Sequence, residues 1–397
     1  MKLHLSNSKG YAFFLAILPL VMMYKVPGIG FGLATTLIAV GMVYAGAVII
    51  CRYKSIRFKM LLPIILYFIY VMSKSTGLNM LLSLSILVHL MAIATGAIHS
   101  ESLRRYIECI SVIASTALIL QVLIHFLTGF HVPLISAANI LDELEKSIPA
   151  IKTGYGLEAL YRPSAFFLEP AQFTQYCIIG LGSVLFRDQL DIKKALFISI
   201  GILFTTSGMG FVLVFAMWGW WYITHESKVS ISKIMVRILG ALLLVLVLLL
   251  VLSRIPYFNN IISRFLVPES ESGSYNAVHG RLFWWDTFFG GLSIKDLFWG
   301  YGYASLPENY FTGFMTVLYA YGVVGFALLA FVLVKMIFKS NKLSRTFAGI
   351  YLGLLFIANL TGFINVIFYF GIIIAINLDE GDTEQSGNYK KLKFRSV

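Results

Sequence analysis

Two stretches of this 397-residue chain put permanent positive charge beside aromatic rings. The first is Tyr161-Arg162-Pro163-Ser164-Ala165-Phe166-Phe167-Leu168-Glu169-Pro170; the second is His279-Gly280-Arg281-Leu282-Phe283-Trp284-Trp285. A guanidinium stays charged at any working pH, and its planar fork matches phosphate oxygens in pairs, so Arg162 and Arg281 suit a lipid diphosphate at a membrane edge. Snorkelling to a lipid headgroup is the plainer account of either. Trp284 and Trp285 could stack on sugar rings or simply join an interfacial aromatic belt. Glu169 precedes Pro170, which suits the first turn of a helix, where a carboxylate is stabilised by free N–H groups. It is therefore either a cap or a reactive carboxylate held at the helix start. Gln172, three residues after Glu169, and Tyr176, four residues after Gln172, would then complete a polar cleft opening outward.

The elements that must carry these stretches are apolar. The chain is 58% hydrophobic and 13% charged, with mean hydropathy +0.83, whereas a soluble domain carries about a quarter charged residues. Lipid is the expected solvent. The pattern predicts an all-α, polytopic helical bundle, one transmembrane domain over 1–397. Its spans fall near 11–24, 29–50, 60–73, 77–98, 107–129, 169–186, 195–206, 209–224, 234–252, 310–334, 346–360 and 364–378. The count is about twelve, in the range 10–12, because 60–73 and 195–206 are short for full crossings. A break near Ser207, Gly208 and Gly210 keeps 195–224 a hairpin.

Segments assigned to the inner side hold 22 of the 31 Lys and Arg. The positive-inside rule thus puts both termini and the tail 379–397 in the cytoplasm, and the two long loops, about 130–168 and 253–309, outside. The net charge of +12 reads as this topology signal, and no nucleic-acid partner is expected. In the second loop Ile255, Phe258, Ile262 and Phe265 recur at helical spacing, the pattern of an interfacial helix.

Ionisable groups at membrane depth, which an ion-coupled carrier needs, are few. His89 and His125 are the main candidates, and a histidine bonded to a neighbouring helix is the plainer reading of each. Cys51, Cys109 and Cys177 show no metal or disulfide spacing. Asp142, Glu143 and Glu145 read as a solvated helix face, so no metal is expected.

Four stretches, taken in order, resemble the lipid-linked polysaccharide polymerases of the O-antigen polymerase type, within the O-antigen ligase and polymerase superfamily. They are Arg162 to Pro170 opening a span; Thr205-Thr206-Ser207-Gly208 in a mid-chain hairpin; Gly280-Arg281 with Trp284 and then Gly300-Tyr301-Gly302; and Glu308-Asn309-Tyr310 leading to Tyr321-Gly322-Val323-Val324-Gly325. The chain departs from the family at Glu308, where many relatives have histidine, and at Gly208, where an arginine is common. The resemblance implies a metal-independent inverting glycosyltransferase without cofactor. It would move a growing glycan from undecaprenyl diphosphate to the next lipid-linked repeat unit, building O-antigen, capsule or exopolysaccharide on the outer face of a bacterium's cytoplasmic (inner) membrane. Arg162 and Arg281 would hold the diphosphate. Glu308 or Glu169 would accept the proton, while Trp284, Trp285, Asn309, Tyr310, Gln172 and Tyr176 would contact sugar or lipid. The partners implied are the lipid-linked donor and acceptor, membrane lipid, a chain-length regulator and a flippase. The alternatives are a sister ligase and a transporter or flippase of lipid-linked sugar.

Overall fold

The computed structural model describes residues 8–25, 28, 31–132, 135, 142–143, 151–154, 157–187, 189–225, 231–255, 292–306 and 311–393. The chain divides into two compact units, residues 107–284 and the remainder, 1–106 with 285–397.

In the second-named unit, α1 (Lys9–Val21), α2 (Leu33–Arg52), α3 (Phe58–Ser73) and α4 (Gly77–Ile93) form the first half. Ser8 starts α1 by accepting the Tyr11 N–H at 3.0 Å, which satisfies one of the donors a helix leaves orphaned. α5 (Ser100–Thr128) begins here and continues into the other unit. It starts seven residues before the expected 107, because Glu101 pairs with Arg104 at 3.5 Å and with Arg105 at 3.0 Å, the i+3 and i+4 contacts that stabilise a polar first turn. In the same unit α3 packs on α4, and α2 on α4.

The 107–284 unit holds a hairpin pairing Ile151–Gly154 with Leu157–Tyr161, then α6 (Pro170–Leu185), α7 (Ile192–Phe204), α8 (Gly208–Thr224) and α9 (Ile231–Leu252). Strand in the first outer loop is a small exception to the all-α expectation. Asp142 and Glu143 are also extended, correcting the solvated helix face read there. The expected break between α7 and α8 is present. Thr206 takes a left-handed φ of 56°, and the Thr205 hydroxyl donates to the Ile202 carbonyl at 2.6 Å while accepting the Ser207 N–H at 3.2 Å. Side chain replaces helix ladder for one turn. Small residues let the helices approach, with Ser111 and Ser115 of α5 fitted against Gly180 of α6 and Gly201 of α7.

The unit that holds α1 to α4 resumes at α10 (Ile294–Trp299), followed by α11 (Gly313–Lys339), α12 (Lys342–Ile357) and α13 (Phe363–Lys393). α11 packs on α3, α10 and α12; α13 packs on α1, α4 and α12. The tail read as 379–397 is helical through Lys393. The expected interfacial helix lies, apart from Ile255, outside the described residues.

Among the described residues, three helical segments, Leu33–Ser55, Ser100–Thr128 and Gly313–Phe338, are long and apolar enough to cross a membrane, and five shorter apolar helices accompany them. These dimensions are those of a membrane protein.

Candidate functional site

The turn from Arg162 to Pro170 is built in detail. Ala165 sits in the left-handed region at φ 54°, a conformation that costs a non-glycine residue about 1 kcal/mol or more. The cost is met by a buried clamp. Gln121 of α5 accepts the Ala165 N–H through its side-chain oxygen at 2.9 Å, the Ala165 carbonyl accepts the Ile135 N–H at 2.9 Å, and the Phe167 N–H closes on the Ser164 carbonyl at 2.9 Å. Arg162 and Glu169, the two charged residues of the turn, are both half-buried at the places the clamp fixes.

Glu169 occupies the N-cap position of α6 in extended conformation (φ −136°, ψ 151°) with Pro170 following, yet its side chain accepts no hydrogen bond from the helix. The carboxylate is not spent on capping. Gln172 is half-buried one turn on. Tyr176, by contrast, is 2% exposed and packs on Phe167 with ring centroids 5.5 Å apart. In place of the expected cleft wall it is a buried core residue.

Beside the turn lies a cluster that the sequence did not reveal. His125 near the C-terminal end of α5, His131 and Tyr161 bring their rings to 4.5 Å (His125–Tyr161), 4.6 Å (His125–His131) and 5.2 Å (His131–Tyr161). Tyr161 donates to the Val132 carbonyl at 3.1 Å, and burial pushes its hydroxyl up to about 12, so it stays a neutral donor next to Arg162. The members are separated by up to 36 positions, and only the fold of the loop collects them.

His89 follows the plain reading. Its Nδ1 meets the Tyr11 hydroxyl at 2.7 Å and its Nε2 meets the Ile38 carbonyl at 3.1 Å. Since a carbonyl only accepts, the proton is on Nε2 and both ring nitrogens are used. Glu108, unremarked in the sequence, is a second buried group. Its side chain is 5% exposed; Ser183 donates to it at 2.7 Å, with Lys194 at 3.4 Å and Arg187 at 3.7 Å. These partners tie α5 to the end of α6 and the start of α7.

In the other unit, two of the quoted motifs meet. The chain at Trp299 to Gly302 runs directly against α11 where it kinks at Gly322. Tyr301 and Gly302 donate their N–H groups to the carbonyls of Tyr319 (3.1 Å) and Ala320 (2.8 Å), and the Tyr70 hydroxyl contacts the carbonyls of both Trp299 (3.1 Å) and Tyr321 (3.0 Å). Gly300 (φ 70°, ψ 166°) and Gly322 (φ 64°, ψ −171°) hold backbone angles that essentially only glycine adopts. A Cβ on Gly322 would stand 2.3 Å from the Phe298 carbonyl oxygen.

Arg281, Trp284, Trp285, Glu308, Asn309 and Tyr310 lie outside the described residues. Among the described residues no three His, Cys, Asp or Glu side chains converge as a metal site, and the three cysteines are free thiols. The helices and their packing define a helical chain of membrane dimensions. No family model, curated protein or solved structure matches it.

Proposed function

We propose that this protein is a polymerase of undecaprenyl-diphosphate-linked oligosaccharide repeat units, embedded in the cytoplasmic membrane of a bacterium by about twelve helices. Both termini and the tail face the cytoplasm, and the loops around Arg162 and Arg281 face outward. The observation that carries the reading is the Arg162–Glu169 turn: a strained, clamped loop that delivers a guanidinium and an uncommitted carboxylate to the start of one helix. Strain of this kind persists where surrounding structure over-determines it, and it clusters at functional sites. The four sequence stretches supply the substrate class. Ion-coupled transport is less well supported, since His89 and Glu108 are both locked into structural contacts.

In the proposed reaction the acceptor hydroxyl oxygen attacks the anomeric carbon of the diphosphate-linked sugar from the opposite face. A carbon–oxygen bond forms as the bond to the diphosphate breaks, and the configuration inverts. The hydroxyl proton passes to Glu308 or Glu169 as it becomes acidic. The departing diphosphate keeps the electron pair, and Arg162 and Arg281 stabilise its charge. Both lipids are held at the bilayer edge, so the encounter is close to intramolecular.

Lysine supplies the charge but not the fork, so Arg162→Lys and Arg281→Lys should each lower chain elongation on the order of 10² to 10³. Expression and membrane insertion should be unchanged. Wild-type polymer length from either variant, read on a gel of cell-surface glycan, would return that arginine to a headgroup contact. Orientation has its own check. A periplasm-active reporter fused after Lys391 should be silent and one at Ser272 active; the reverse pattern would place the arginines on the wrong side.

A further inference from the structure

A cleft in the unit formed by 1–106 and 285–397 shares only Tyr321 with the quoted motifs. Its interior accommodates about 80 Å³ between α3, α4, α11, α12 and α13 and opens to solvent at its mouth, room for a single small ring and less than a drug-sized ligand fills. Among the described residues its lining has no charged side chain, which sets it apart from the arginine-bearing stretches. Tyr67, Tyr303, Tyr321 and Tyr351 supply four phenol rings, and Asn79 and Thr361 add an amide and a hydroxyl. The phenols of Tyr321 and Tyr351 are electrostatic neighbours of Tyr67 deep in the cleft.

Much of this polar capacity is unspent. The side chains of Asn79, Tyr67 and Tyr303 hydrogen-bond to none of the described residues. Ser75 and Ser83 commit their protons to the Val71 and Asn79 carbonyls at 2.8 and 2.9 Å, and Ser75 also bonds the Tyr321 hydroxyl. The polar members Ser75, Asn79, Tyr303 and Thr361 sit at or beside helix ends, whereas Ile86, Leu329, Val366 and Phe370 lie within the helices. The walls are also rigid. Tyr303 and Tyr321 flank the glycine crossing, whose backbone bonds and Tyr70 contacts hold both in place.

We infer that this cleft is a binding subsite for an uncharged saccharide, a single ring of a glycan entering from the mouth and lying on the tyrosine faces with its hydroxyls on Asn79 and Tyr303. Pyranose rings combine an apolar C–H face with a rim of donors and acceptors, and aromatic rings interleaved with neutral hydroxyl and amide groups complement both. A hydrocarbon tail would have to desolvate the same phenols and amide with nothing returned. The inference rests on the proposed function only in expecting a glycan as substrate; the neutrality and the spare hydrogen-bonding groups belong to the cleft itself.

The test uses the full chain in lipid nanodiscs and, as probe, neutral oligosaccharides released by mild acid from the polyprenyl-linked pool of the producing cells, with saturation-transfer NMR as readout. Saturable binding is expected for the wild type. Asn79→Ala and Tyr303→Leu should each weaken it about tenfold, the worth of one neutral hydrogen bond, while eluting as the folded protein does on size exclusion. Arg162→Lys should bind the oligosaccharide as the wild type does. No binding to the wild type, or binding unchanged in both cleft variants, would overturn the inference. So would co-purified lipid, detected by native mass spectrometry, that is lost in Tyr303→Leu while sugar binding stays intact. Cleft-dependent sugar binding by a wild type that makes no polymer would sink the polymerase reading and leave the cleft standing.

Discussion

Gly322→Ala is expected to leave little folded protein, and Gly300→Ala the same. A side chain at Gly322 must tolerate φ 64° with ψ −171°, and its Cβ would press to 2.3 Å on the Phe298 carbonyl oxygen and 2.7 Å on the Gly300 nitrogen. Backbone atoms cannot rotate aside as a flexible side chain can. Adding roughly 1–2 kcal/mol for the dihedral to roughly 1–3 kcal/mol for overpacking gives a loss of about 2–5 kcal/mol, a large share of the 5–15 that holds a typical domain together. Thermal unfolding in detergent followed by size exclusion would show it. Gly349→Ala and Gly353→Ala are the controls: both lie in α12 with open space where the Cβ would go, and alanine there should be neutral or slightly stabilising. If Gly322→Ala melts with the controls, the crossing of α11 by residues 299–302 is not as close as described.

The second large effect belongs to the carboxylates. Glutamine keeps the shape of glutamate and its hydrogen bonds but cannot take up the hydroxyl proton. On the proposed mechanism, Glu308→Gln should cost on the order of 10² to 10⁴ in turnover, with substrate binding little changed. Glu169 provides the contrast. Because its side chain makes no capping bond, Glu169→Gln should spare α6, where loss of a true cap would have cost about 1 kcal/mol. Any drop in elongation by that variant therefore reports chemistry rather than folding. Should Glu308→Gln polymerise normally while Glu169→Gln is folded and inactive, the base is Glu169; activity in both would remove general-base catalysis by either carboxylate.

Much of the helical framework was legible from apolar run lengths alone. The break between α7 and α8 was legible too, because Thr205-Thr206-Ser207-Gly208 interrupts an apolar stretch with residues that bond their own backbone. Run length could not reveal groups that act across the fold. Glu108 reads as one acid near the start of an apolar helix until Arg187 and Lys194 are brought to it. His125 reads as a buried histidine until the loop folds His131 and Tyr161 over it. Tyr176 shows the opposite error: helical spacing put it on a face with Glu169, but spacing says nothing about Phe167 packing on top. The Gly300-Tyr301-Gly302 and Tyr321-Gly322 stretches, read as part of a functional signature, are a backbone crossing whose requirement is room.

Glu108 also sets an order of events while the chain is being made. Its partner Lys194 lies 86 positions later, and at synthesis rates of about 5–20 residues per second the ribosome needs roughly 4–17 s to supply it. α5 is complete once Thr128 is made, well before either basic partner of Glu108 exists. A buried carboxylate is costly unless paired or neutralised. The pairing Glu108 makes in the folded protein therefore waits for the end of α6 and the first turn of α7, so the carboxylate settles last among the groups α5 carries.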